Sequence, residues 1–442
     1  MADRASHSNP DTLPSLPPVG LTMRHLLYVS MCLFVNAASG EFVSPSSVDE
    51  VRERISALPQ DEIWWTIEGD AMAWHFRNLP RMFPMAPIYR DGPVRELPRR
   101  PKAALANARV TTPSGEFSLR ELIDSTHSTV MGMMVVHDGA VVYEHYPRMQ
   151  PHEKPIYWSV TKVLASTLIG ILEGEERIDV DKPVSTYVPR LAGSSYGPVT
   201  VRNVLDMAAG LNCLEEYEDK TSCYYRYSVT VGDGFYTADS PGDPYAMLAA
   251  LEVSSFAPQG TAYAYSGVNT FVLAWVVEEI TGMPFQDAVS RYLWTRMGAH
   301  SDAAMLAPRF GVPNAHGGLV ARVEDVARFG MLFTPSAADL GAADVIPQAL
   351  VEHVLHGGNP DLLEHSRYGD IRAPGVRHAV YQWDRVFDND DMFKGGWAGQ
   401  GLLVNPRLNL VAVYTGYFGE ARKEVAILGP LRSALGQVYG DD

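Results

Sequence analysis

A serine and a lysine three positions apart, in Ser159-Val160-Thr161-Lys162, stand at the head of an apolar run from Val163 to Leu172. A serine hydroxyl is a weak nucleophile near neutral pH, and a lysine stripped of water can give up its proton and act as the base that activates it. The apolar positions Val160, Leu164, Leu168, Ile171 and Leu172 recur three or four apart, and Gly174 stands where such a helix should stop. The spacing therefore predicts a buried helix beginning near Ser159, with Ser159 and Lys162 one turn apart on the same face. The helix N-terminus favours the negative charge that a tetrahedral adduct develops. An amine at the head of a buried helix needs partners or a depressed pKa, since burying it unpaired is costly.

Two further stretches offer acyl-transfer chemistry. Pro258-Gln259-Gly260-Thr261-Ala262-Tyr263-Ala264-Tyr265-Ser266-Gly267 delivers a tyrosine to the start of a second apolar helix, Val268 to Ile280, closed by Gly282. A phenol there can share a proton with a nearby lysine and pass it on; read alone, it is better explained as a core tyrosine. Met392-Phe393-Lys394-Gly395-Gly396-Trp397-Ala398-Gly399-Gln400-Gly401 leads into Leu402-Leu403-Val404, a turn at Asn405-Pro406-Arg407, and a strand from Leu408 to Tyr414. Glycines at the start of such a strand pair let a ligand approach the backbone, where an NH can bind an oxyanion.

The elements that must position these groups follow from the surrounding pattern. Thr129–Val136 and Ala140–Tyr146 flank Asp138-Gly139 and read as a β-hairpin directly before the serine helix. Val201 to Gly210 reads as a short helix, and Asn212 to Gly242 as a long irregular stretch carrying Tyr217, Tyr224, Tyr225, Tyr227 and Tyr236, the composition of a lid or substrate loop. Gly193-Ser194-Ser195-Tyr196-Gly197 fits the Gly-x-Ser-x-Gly elbow of other hydrolases, but Pro189 and Pro198 flank it where a strand and a helix are required, so it reads as a loop.

The chain has 442 residues, 46% hydrophobic and 20% charged, a globular composition of one large domain or two small ones. A formal charge of -16 argues against a nucleic-acid partner. His316 is a lone histidine before Gly317-Gly318, and Cys213 and Cys223 lack a histidine pair, so no zinc-ligand spacing is found and neither metal nor cofactor is expected. Residues 1–40 read as a disordered arm with a signal-like segment, Met23–Ala38, set back from the start and too short for a stable membrane span. Two readings of it stand, an export signal or a buried helix behind a loose arm, and the compartment stays open with them. Cys213 and Cys223 are close enough to bridge in an oxidising compartment or to remain two thiols. Residues 41–128, with Trp64, Trp65, Trp74, Pro80, Pro84 and Pro87, read as an N-terminal extension packing on a main domain at 129–442.

Taken together, Ser159-x-x-Lys162, Tyr265-Ser266-Gly267 and Lys394-Gly395-Gly396-Trp397, in this order and at these long spacings, resemble the serine β-lactamase and penicillin-binding-protein superfamily. The resemblance runs from about Thr129 to the C-terminus and is nearest to the class C-like branch with its esterases and nylon-oligomer hydrolases. It implies Ser159 as acyl-forming nucleophile, Lys162 as its activator and Tyr265 as proton shuttle. It also implies an oxyanion hole from the NH groups of Ser159 and Trp397, and substrate contacts at Tyr217, Lys394, Gly395 and Gly396. Two positions depart from the pattern: Gly267 replaces the Asn of lactamases, and Gly395 their Thr or Ser. Both lost side chains would hold a β-lactam.

The fold so implied is α+β (α/β in the broad sense) of β-lactamase/transpeptidase type, an antiparallel sheet flanked by helices plus a mostly helical lobe, with Ser159 in the cleft between them. The expected reaction is hydrolysis of a small-molecule ester or amide through an acyl-enzyme. A β-lactamase or D-alanyl-D-alanine carboxypeptidase, and a non-catalytic binding protein on the same fold, are the alternatives. Oligomeric state is left open.

Overall fold

The computed structural model describes residues 44–58, 67–234, 236–309, 311–367 and 371–440. The arm 1–40 with Met23–Ala38, and Trp64 and Trp65, lie outside them. Everything below belongs to the unit Val48–Asp442.

Strand β1 (Met85–Ile88) is followed by the hairpin β2 (Arg109–Thr112) and β3 (Gly115–Ser118). The second hairpin, β4 (Gly132–His137) and β5 (Ala140–His145), turns through Asp138 and Gly139, both at positive φ (47° and 70°), the two-residue geometry that suits the strand twist. Strands β6 (Ala303–Leu306) and β7 (Leu319–Val320) join β1 in a small antiparallel sheet. The C-terminal part supplies β8 (Val376–Val380), β9 (Trp383–Phe387), β10 (Met392–Gly396), β11 (Gln400–Asn405) and β12 (Leu410–Thr415). The main sheet runs β5-β4-β12-β11-β10-β9-β8, every pair antiparallel.

Its central strands are apolar without alternation, because both faces are covered. Met134, Val136, Leu402, Val404, Val411 and Val413 enter one core with the helices, while Met133, Val135, Leu403, Leu410 and Ala412 enter a second core on the opposite face. A period of two divides each strand between the two. Helix Val323–Met331 packs on the first face, where Gly330 leaves room for Val411 and Leu402, and Leu428–Tyr439 adds Leu431, Ala434 and Leu435 to the second.

The serine helix forms as expected, with one difference. Trp158–Thr161 is a 3-10 turn and the α-helix proper is Lys162–Gly174, so Ser159 sits in the tighter turn. The second apolar helix, Gly267–Thr281, is capped by Ser266, whose Oγ accepts from Val268 NH, and closed by Gly282 at φ 69°.

Two expectations are corrected. The helix at Val201 ends at Leu205 rather than Gly210, since Met207 turns into the left-handed region at φ 54°. The stretch 212–242 is not irregular throughout: Ser222 caps a helix, Cys223–Thr230, that buries Tyr224, Tyr225 and Tyr227. Tyrosine fills a core while its hydroxyl finds a partner, so a tyrosine-rich stretch hides the apolar periodicity used to recognise helices. Residues 193–197 form a loop, as the proline flanks require.

Candidate active site

Ser159 is half-buried at the floor of a cavity of about 520 Å³, a volume suited to a small molecule. Trp158 before it has φ 44°, a left-handed conformation that costs a bulky residue of order 1–3 kcal/mol unless its surroundings hold it. They do: the indole is 6% exposed and meets Phe76 edge-on at 5.6 Å. The turn is clasped from its other side, with Tyr157 NH donating to Leu319 O (2.8 Å) and Leu319 NH to Thr161 Oγ1 (3.0 Å).

Lys162 is fully buried. Its Nζ lies 3.1 Å from Ser159 Oγ, 2.9 Å from His316 O and 3.4 Å from Glu215 Oε1. Burial is the main reason its pKa falls from 10.5 to about 8, with Lys394 adding to the fall while Glu215 and Asp384 oppose it. An amine in this state is available as a base near neutral pH.

Tyr265 stands between two lysines. Lys394 Nζ is 3.3 Å from its hydroxyl, and the Nζ atoms of Lys162 and Lys394 each lie 4.8 Å from its ring centroid. Lys394 is also fully buried and its pKa is lowered by burial, but Asp384 Oδ1 at 2.6 Å opposes that fall. The other oxygen of Asp384 accepts from Gly395 NH at 3.0 Å, so one carboxylate fixes both the lysine and the end of β10.

Strand β10 approaches the serine turn so closely that a Cβ on Gly396 would lie 2.5 Å from Tyr157 O. No other residue fits there without moving backbone. Beyond it, Ala398 and Gly399 turn through positive φ (59° and 91°), and Gln400 Oε1 accepts from Thr415 Oγ1 and Gly416 NH at 2.8 Å each. This brings Trp397, 38% exposed, to the rim, edge-on to Phe418 at 4.9 Å.

The sequence-predicted residues are thus brought together: Ser159, Tyr217, Tyr265, Gly395, Gly396 and Trp397 line one cavity, and Lys162 and Lys394 contact it through Ser159 and Tyr265. Sequence reasoning did not single out Glu215, Asp233 or Asp384, left Tyr224 among the tyrosines of a loop, and took His316 only as a lone histidine. Asp233 holds His316 Nε2 at 2.9 Å and accepts from Asn314 Nδ2 at 2.8 Å, while Tyr227 OH is 3.0 Å from His316 Nδ1. The imidazole is thereby fixed and its own carbonyl aimed at Lys162. No local pattern announces this; only Asp384, ten residues before Lys394 on a neighbouring strand, was within reach of hairpin reasoning.

Gly267 is filled from outside. A Cβ there would lie 2.6 Å from Tyr224 OH and 2.7 Å from His316 Cδ2. Restoring the lactamase residue with Gly267→Asn should therefore cost about 1–3 kcal/mol of stability by overpacking and lower hydrolase turnover without creating β-lactam turnover. Denaturant melts and parallel ester and penicillin assays check this; a stable variant that hydrolyses penicillin would contradict it.

A serine and a buried lysine in contact, a phenol between two amines and a glycine-lined strand end define a serine hydrolase site of the acyl-enzyme class. The profile of the family described as "Beta-lactamase" matches residues 118–416, and the chain belongs to that family of serine hydrolases. It is 30% identical over 342 residues to the 6-aminohexanoate-dimer hydrolase of Paenarthrobacter ureafaciens, covering 77% of this chain and 84% of the relative. Its fold is similar to that of a Bacillus anthracis protein provisionally named a 6-aminohexanoate-dimer hydrolase, with TM-score 0.72 at 20% identity over 90% of this chain and 97% of the other. It is also similar to EstCE1, a hydrolase with promiscuous acyltransferase activity, with TM-score 0.53 at 15% identity over 73% and 96%. Among the described residues no helix is long and apolar enough to cross a membrane.

Proposed function

We propose that this enzyme hydrolyses small esters or linear amides, of the kind named for its 6-aminohexanoate-dimer relative, through an acyl-enzyme on Ser159. The observation that carries the reading is the buried amine of Lys162, 3.1 Å from Ser159 Oγ and with its pKa brought down to about 8. Neutral Lys162 takes the hydroxyl proton as Oγ bonds to the carbonyl carbon. The carbonyl oxygen becomes an anion, held by the NH groups of Ser159 and Trp397. Tyr265 passes the proton to the departing alkoxide or amine as that bond breaks. Water then attacks the acyl carbon while Lys162, neutral again, and Tyr265 take its proton; that proton is returned to Ser159 Oγ as the acyl C–Oγ bond breaks, and the acid leaves. Lys394, kept close to Asp384, leaves Tyr265 beside a second amine. Tyr217 forms part of the cavity wall against the substrate.

β-Lactam hydrolysis is the weaker reading, because Gly267 and Gly395 lack the side chains that grip a lactam and Tyr224 fills the space over Gly267. Intact-mass analysis with peptide mapping, after exposure to a fluorophosphonate, a p-nitrophenyl ester and a penicillin, tests the proposal. An adduct on Ser159 from the first two, with turnover of the ester and of linear 6-aminohexanoate dimer but not penicillin, is expected; no adduct from any of them would refute it. Because the base must be neutral, turnover at subsaturating substrate should rise with pH through a midpoint of about 8.

A further inference from the structure

The loop between Cys213 and Cys223 is closed by a disulfide. It carries Glu215 and Tyr217, and its far end opens the helix with Tyr224. Of its four carboxylates, Glu215, Glu216, Glu218 and Asp219, three contacts place that of Glu215 beside Lys162. Tyr224 OH donates to Glu215 Oε1 at 2.9 Å, and Tyr217 OH lies 3.1 Å from Tyr224 OH. Cys213 O accepts from Ser266 Oγ at 2.6 Å, which ties the loop to the residue after Tyr265. Glu215 Oε1 is then 3.4 Å from Lys162 Nζ.

The charged and titratable groups facing Lys162 come from four directions: Glu215 from this loop, Tyr265 from the segment before Gly267–Thr281, Lys394 on β10 and Asp384 on β9. Asp384 is already bound to Lys394 at 2.6 Å, so those two charges largely offset each other at Lys162. Glu215 is the carboxylate in direct contact with the amine.

We propose that Glu215, pinned by the Cys213–Cys223 bridge and the Tyr224 hydroxyl, is a positioning residue that sets the protonation of Lys162 and so the pH at which Ser159 becomes nucleophilic. This rests on the reading of Ser159 as nucleophile and Lys162 as base. The carboxylate stabilises the ammonium form; without it the amine loses its proton at lower pH.

The test follows the rate of Ser159 modification by a fluorophosphonate as a function of pH, for the whole enzyme and for Glu215→Gln. The acid limb of the Gln variant should move down by about one pH unit, the size expected for losing an opposite charge at contact distance. The paired variant Cys213→Ser with Cys223→Ser keeps the carboxylate but frees its loop, and its limb should move the same way by less. A purely structural role for Glu215 changes the plateau and leaves the limb in place, so coincident limbs overturn the proposal. If Glu215→Gln does not fold, an unmoved limb in the paired cysteine variant overturns it equally. Failure of the unaltered enzyme to label at Ser159 would instead overturn the underlying assignment, and the role of Glu215 with it.

Discussion

Ser159→Ala should lower kcat/KM for ester and amide substrates by about 10⁴-fold or more and abolish covalent labelling, with the fold intact. The substitution removes a half-buried hydroxyl from a turn held by other contacts: the Trp158 indole against Phe76, and the backbone of Tyr157 and Leu319. Lys162 keeps His316 O and Glu215 as partners, so the lysine is not orphaned. The loss then reads the chemistry rather than the stability. Ester turnover within tenfold of the unaltered enzyme, measured beside an unchanged denaturation midpoint, would refute Ser159 as nucleophile.

Lys162→Met should have two effects of opposite sign. Turnover falls by about 10³-fold or more, since the serine loses its base. Stability at neutral pH rises, because a fully buried amine whose pKa has been lowered to about 8 destabilises the folded state. In the unfolded chain the lysine titrates near 10.4, so the folded state binds fewer protons between the two values. The penalty is present in full below about pH 8 and disappears above the unfolded value, at most roughly 3 kcal/mol from 1.36 kcal/mol per unit. Leaving Glu215 without the amine offsets part of the gain, so a net of about 1–2 kcal/mol is expected. Chemical denaturation across this pH range measures it, and the advantage of the Met variant should shrink as pH rises. A variant less stable than the original at neutral pH would mean that the three acceptors around Nζ outweigh its desolvation.

Much of the site was legible in the sequence because it sits at the ends of regular elements. Ser159 and Lys162 open an apolar helix and Tyr265 just precedes another, so periodicity located their elements; Gly395 and Gly396 were read as a strand entry but end β10, and the resemblance, rather than periodicity, joined the five into one site. Four strands of the sheet were legible for the same reason, since the Asp138-Gly139 turn and the uninterrupted runs in β11 and β12 are local signals, whereas β8, β9 and β10 were not read. What escaped was set by distance along the chain. Glu215 and His316 reach Lys162 from 53 and 154 residues away, the latter through a carbonyl that any residue would carry. The helix Cys223–Thr230 escaped because Tyr224 and Tyr227 look polar until their hydroxyls are seen against Glu215 and His316.

The seating of Gly396 against Tyr157 O has a mechanical consequence. With no side chain between them, strand and turn act as one stiff piece, and the spacing between the main-chain NH groups of Ser159 and Trp397, the donors of the proposed mechanism, is built into the main chain. The walls at Ile371 and Phe418 hang on other segments. Such an arrangement separates the reaction coordinate from the choice of substrate: wall residues can be exchanged to admit a new acyl chain while the geometry of attack is inherited unchanged.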